Sequence, residues 1–125
     1  MQRLKTRAQF QAVLAGTTVS RTAHFALHRT GLDAQPTLLV LFDVKEPWVG
    51  ALIPKRWAKR AVTRNAIKRQ IYAVSTDLES TLTQAAHVVR LRSAFDRAKF
   101  PSASSDALKQ AVRNELQQLF ARAAQ

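Results

Sequence analysis

The chain contains no cysteine, and its 125 residues include only 8 acidic side chains, 3 glycines, 4 prolines and 3 histidines. Without thiols there is no disulfide scaffold, no cysteine nucleophile and no thiolate-held metal. Long apolar runs are missing too. Leu38–Phe42 and Trp48–Pro54 are the longest mostly apolar stretches, far short of the roughly 20 residues a membrane helix requires. Met1–Gly16 lacks the apolar centre of a secretory signal, so a soluble, cytoplasmic protein with no membrane partner is expected. The scarce histidines and carboxylates fall in no catalytic spacing: HExxH, GxSxG, GxxxxGKS and an HxE with a later cysteine pair are all absent. Asp43 and Glu46, a close pair of acids, flank a turn and read as turn charges rather than a metal site. No catalytic residue, metal ligand or protein-bound cofactor is therefore expected.

What is plentiful is positive charge. Lys and Arg number 20, giving a formal charge of +12, while 46% of the residues are apolar. A chain of this length and apolar content can bury its own core, so one domain spanning residues 1–125 is expected, with the charge excess carried on its surface. Such an excess repels itself in a compact state, and a polyanion that releases condensed counterions on binding is its natural partner. The cations are clustered. Residues 55–69 hold Lys55, Arg56, Lys59, Arg60, Arg64, Lys68 and Arg69, and no acid occurs between Glu46 and Asp77. Solvated helices interleave Glu with Lys at i,i+4; this segment has no such partners, which points to a footprint for an external anion.

Periodicity gives a coarse map. Residues 3–15, ending at Gly16, read as a helix, and the β-branched stretch from Thr17 through the alternating His24–His28 reads as one strand with a polar face that His24 and His28 share. Gly31–Pro36 is a loop. Thr37–Val44 and Trp48–Ile53 read as two further strands across the Lys45–Pro47 turn, hence an antiparallel hairpin. Residues 56–75 read as a helix whose cationic ridge shares its arc with Ile67, Ile71 and Val74. A short strand at His87–Leu91 follows. Ser104, Ser105 or Asp106 caps a last helix ending near Ala123, with Leu108, Val112, Leu116, Leu119 and Phe120 on one stripe. Trp48 and Trp57 read as packing residues. The fold class is α+β, with element order α-β-β-β-α-β-α.

The run Pro54-Lys55-Arg56-Trp57-Ala58-Lys59-Arg60-Ala61-Val62-Thr63-Arg64-Asn65-Ala66-Ile67-Lys68-Arg69 resembles the Arg-Asn-Arg signature of bacterial ribonuclease P protein subunits. Resemblance extends over most of the chain: Leu4-Lys5 with Phe10 and Leu14, Phe25-Ala26-Leu27-His28, Trp48-Val49-Gly50, His87–Arg92 and Leu116-Leu119-Phe120 all fall where that family has matching segments. It implies a two-layer α/β sandwich related to ribosomal-protein folds, with a left-handed βαβ crossover joining the third and fourth strands. It further implies the protein subunit of a ribonucleoprotein endonuclease, a hydrolase in which a catalytic RNA with its own Mg²⁺ removes 5′ leaders from precursor tRNA. The protein, monomeric when free, is expected to assist that RNA rather than to catalyse.

By the same resemblance, Lys55, Arg56, Lys59, Arg60, Arg64, Asn65, Lys68 and Arg69 bind RNA, while Phe10, Leu14, Ala26 and His28 line a leader groove between the sheet and the first helix. The chemistry suits these roles. Arg forks onto phosphate, Asn both donates and accepts, and unstacked bases favour an aromatic and polar floor, where His28 is expected to stack on a nucleotide. Arg64 is expected to be a surface contact whose loss leaves the fold intact. The sequence departs from the family pattern at several points. Ala66 replaces the second Arg, which implies one missing contact; Leu14 and His28 stand where aromatics are frequent; Tyr72 stands where another cation is common; and Pro54 stands where a small residue is usual.

Overall fold

A computed structural model describes residues 1–96, 98–100 and 105–124. Among the described residues, nine regular elements of sheet and α-helix follow one another: β1 (Gln2–Arg3), α1 (Arg7–Leu14), β2 (Thr17–Arg21), β3 (Phe25–Gly31), α2 (Pro36–Leu41), β4 (Trp48–Leu52), α3 (Ala61–Asp77), β5 (Ala85–Leu91) and α4 (Asp106–Ala123), with one 3-10 turn at Glu79–Thr81. The strands form a single sheet in the order β1-β4-β5-β3-β2. β5 lies at its centre, antiparallel to β3 and parallel to β4, so β4–α3–β5 is a βαβ unit. None of the described helices is long and apolar enough to cross a membrane.

The α+β class expected from sequence stands, while several elements differ from expectation. Thr37–Val44 is no strand, and the antiparallel hairpin with Trp48–Ile53 does not form. Pro36 instead opens the short helix α2, whose buried positions Leu38 and, just past its end, Phe42 are four residues apart while Leu39 and Val40 stay exposed. An apolar run of that length satisfies either period, and Pro at the first helical turn tips it to helix. The single strand expected from Thr17 to His28 is a hairpin, because Thr22 turns the chain with its N–H on the Phe25 carbonyl at 2.9 Å. α3 begins at Ala61 rather than at residue 56, after turns in which Trp57 and Ala58 both donate to the Pro54 carbonyl. β1 is an added edge strand, parallel to β4.

Burial follows the pleat. Phe25, Leu27, Val49, Ala51, Val89 and Leu91 face α3 and α4 and pack with Ile67, Ile71, Leu116 and Leu119 in the larger core. Trp48, Ala86 and Val88 face the other way, beneath α1 and α2, with Leu4, Val13, Leu38 and Phe42. The sandwich of sheet on α3 and α4 thus carries a partial further layer on its second face. Side chains cap α1 and α4, while α2 and α3 have no side-chain cap. Thr6 accepts from the Gln9 N–H at 3.2 Å while Gln9 Oε1 accepts from the Thr6 N–H at 3.1 Å, a reciprocal box at the start of α1. Ser105 caps α4 by accepting from the Leu108 N–H at 3.1 Å; Ser104 lies outside the described residues. Glu115 of α4 accepts from Thr22 Oγ1 at 2.7 Å and the His24 N–H at 2.8 Å, clamping the β2–β3 turn to the helix layer.

Candidate nucleic-acid interface

Pro54 follows the end of β4 at Leu52, and the eight predicted residues then divide between the connection that follows and α3. Lys55, Arg56, Lys59 and Arg60 sit on the connection into α3, and Arg64, Asn65, Lys68 and Arg69 sit on its first turns. All are exposed except Arg64, which is half-buried. The ion pairs among the described residues join Met1 to Glu46 and Glu79, His24 to Glu115, and Arg113 to Asp77. None uses a cation of residues 55–69. α3 also has no acidic residue in its first turn. Its positive dipole end therefore adds to the side-chain field instead of being neutralised.

Arg64 does more than face solvent. Its Nη1 donates to the Ala58 carbonyl at 3.0 Å and to the Lys59 carbonyl at 2.8 Å, bracing the connection against the helix. The expectation of a purely surface contact is corrected accordingly. A guanidinium has five N–H donors, so Nε and Nη2 keep an edge that can still fork onto phosphate. Ala66, at the departure from the family motif, is 7% exposed and lies with Ile67 on the inward side of α3. The outward face keeps all its cations.

On the opposite face of the sheet, the four predicted groove residues come together with unequal exposure. Phe10 and Leu14 are half-buried against the smaller core. Phe10 lies so close over Gly50 that a Cβ there would stand 2.7 Å from its Cε1. Ala26 is completely buried, and His28 is 7% exposed. The His28 ring is held at both nitrogens: Arg90 Nε donates to Nε2 at 3.2 Å, which leaves Nδ1 as the donor to Thr18 Oγ1 at 3.1 Å. Burial first, then the charges of Arg90 and Arg21, hold its pKa below the ordinary histidine value. His28 is thus a doubly anchored part of the floor, and at 7% exposure it offers little ring surface for the stacking on a nucleotide expected of it.

Register identifies what surrounds it. Leu52 pairs with Arg90, Arg90 with Ala26, and Ala26 with Arg21, so one cross-strand row on the α1 face carries two guanidinium groups. Arg21 is exposed and Arg90 half-exposed. Sequence reasoning passed over both as groove residues. The available signal was Arg90 itself, a cation two residues from Val88 on a strand face otherwise formed by Ala86 and Val88. His24 does not share the groove with His28. It precedes β3, stacks on Phe95 with ring centroids 3.9 Å apart, and bonds through Nδ1 to Glu115 at 2.7 Å.

Fold and surface together define a small basic α+β domain with carboxylate-free cations on one side of its sheet and an Arg-flanked floor on the other. The profile of the family described as Ribonuclease P matches residues 1–124. The chain belongs to that family, the protein components of a tRNA-processing ribonuclease. It is 34% identical over 118 residues to the ribonuclease P protein component of Ralstonia pickettii, covering 94% of this chain and 76% of that one. Against the component of Bordetella parapertussis it is 35% identical over 122 residues, covering 98% and 91%. Among solved structures it is similar to the RNase P protein of Staphylococcus aureus, with TM-score 0.71 at 19% identity over 97% of this chain and 94% of that one. The Thermotoga maritima RNase P protein gives TM-score 0.67 at 17% identity over 98% and 97%. At these identities the structural likeness concerns the fold alone.

Proposed function

We propose that this protein binds the catalytic RNA of ribonuclease P through Lys55, Arg56, Lys59, Arg60, Arg64, Asn65, Lys68 and Arg69, and holds the 5′ leader of precursor tRNA over the floor built from Phe10, Leu14, Ala26 and His28. Arg21 and Arg90 flank that floor and take leader phosphates. Hydrolysis belongs to the RNA with its Mg²⁺. The protein's own groups position strands and neutralise phosphate, which lowers the Mg²⁺ the RNA needs. It acts in the cytoplasm and is monomeric when free. The observation that carries this reading is the row of eight basic and amide side chains of which none is paired to a carboxylate among the described residues. Unpaired cations this dense are costly in a folded protein that lacks an anionic partner.

The test is leader cleavage at low Mg²⁺ with the cognate RNA, the protein, or both. Stimulation of the RNA by a protein inert alone is the expected result. Cleavage by the protein alone would reveal a nuclease, and no stimulation would point to a binding module for some other folded RNA; either would overturn the reading.

A further inference from the structure

Arg3 and Tyr72 extend the cationic surface beyond the basic segment, from an element far away in sequence. β1 pairs with β4 so that Arg3 lies beside Val49, which faces the larger core under α3 and α4. The pleat therefore turns Arg3 to the α3 side, while Gln2, beside Trp48, turns to the α1 side. There the Arg3 guanidinium carbon sits 4.0 Å from the centroid of the Tyr72 ring. Arg3, Asn65, Lys68, Arg69, Tyr72 and Thr76 line one shallow groove. The helical positions among them recur at intervals of three and four, a stripe about 16 Å long at 1.5 Å per residue. A stripe of that length can run beside a few consecutive phosphates of one strand. Asp77 stands at the far end, its carboxylate taken by Arg113.

Stacking occupies the face of a guanidinium and leaves its in-plane N–H donors pointing outward. Arg3 is exposed and joins no ion pair among the described residues. We infer that Arg3, held in place by Tyr72, is a further phosphate-binding residue, and that this groove takes the sugar-phosphate backbone of the folded catalytic RNA. The inference rests on the reading that α3 binds that RNA. A folded RNA fits better than the single-stranded leader, because the groove lies on the α3 side of the sheet and the leader floor on the α1 side. Tyr72 is a positioning residue: its ring fixes the cation and touches no phosphate.

The experiment measures affinity of the whole protein for the ribonuclease P RNA of the same organism across a salt series, with a leader oligonucleotide in parallel. Losing one phosphate contact should reduce the log–log salt slope by about 0.7–0.9. Arg3→Ala is expected to show that reduction with the catalytic RNA and none with the leader oligonucleotide. Tyr72→Phe should bind like the parent, and Tyr72→Ala should add nothing to Arg3→Ala in the double variant. An unchanged slope in Arg3→Ala, alongside a reduced slope in Arg69→Ala, overturns the inference and leaves the reading of α3 standing. Unchanged slopes in both overturn the reading and the inference together. Arg3 is exposed, so its variant decides the matter even if Tyr72→Ala fails to fold.

Discussion

At the scale of single residues, Arg64 and Arg60 separate two duties that a list of cations cannot distinguish. Arg60 is exposed, whereas Arg64 braces two carbonyls of the connection before α3. Hydrogen bonds from a charged donor contribute about 1.5–3 kcal/mol when shielded, and half-exposure reduces that to about 1 kcal/mol here. Arg64→Ala should therefore lower the thermal midpoint by several degrees and weaken RNA binding, while Arg60→Ala should weaken binding with the midpoint unchanged. Melting curves of the two variants decide it: coincident midpoints would show that the brace contributes nothing. His28 shows a similar division, since both its ring nitrogens are engaged within the protein and the residue is only 7% exposed.

Elements differ in how much of themselves they announce. α4 was legible in outline because its stripe of Leu108, Val112, Leu116, Leu119 and Phe120 repeats over more than three turns and a serine stands at its cap. The cationic segment was equally plain, since composition alone marks it. β1 was not, because two residues carry no period and only pairing with β4 makes them a strand. α2 was misread because Leu38 to Phe42 is too short to separate a period of 2 from one of 3.6. Arg90 and Arg21 entered the candidate groove through cross-strand register, which depends on pairing between distant segments. Seating of α1 is likewise tertiary. Phe10 rests directly on the β4 backbone at Gly50, where an added Cβ would lie 2.9 Å from Cζ and 3.0 Å from the Leu4 Cβ. Gly50→Ala should push α1 off the sheet at a cost of about 1–3 kcal/mol. Phe10→Leu should relieve part of that cost, so urea midpoints of the pair are expected to be non-additive. Strict additivity would mean that the ring is not what excludes the methyl group.

For the molecule as a whole, the burial of His28 and His87 joins its net charge in a single pH dependence. His87 is 2% exposed, with Nδ1 3.1 Å from the Trp48 carbonyl, and burial holds its pKa below the ordinary 6.5; burial does the same for His28. A lowered folded pKa means that below about pH 6.5 the unfolded chain binds protons that the native state refuses. Stability is then fully present above that value and falls as the pH drops toward the folded pKa values, by at most about 1.4 kcal/mol per pH unit for each histidine. Glu46, whose pKa is lowered from 4.5 chiefly by its hydrogen bond to Gln2, acts only in a more acidic window. Protonation also adds charge to a chain already at +12, so self-repulsion moves in the same direction. Salt separates the two causes. At 1 M the screening length is about 3 Å, which suppresses repulsion between surface cations and leaves the desolvation of two buried rings untouched. Urea unfolding at pH 7.5 and 5.5 should show a loss that persists in high salt. If high salt abolishes it, repulsion alone is responsible; if stability is flat between the two pH values, neither ring is held neutral by the fold.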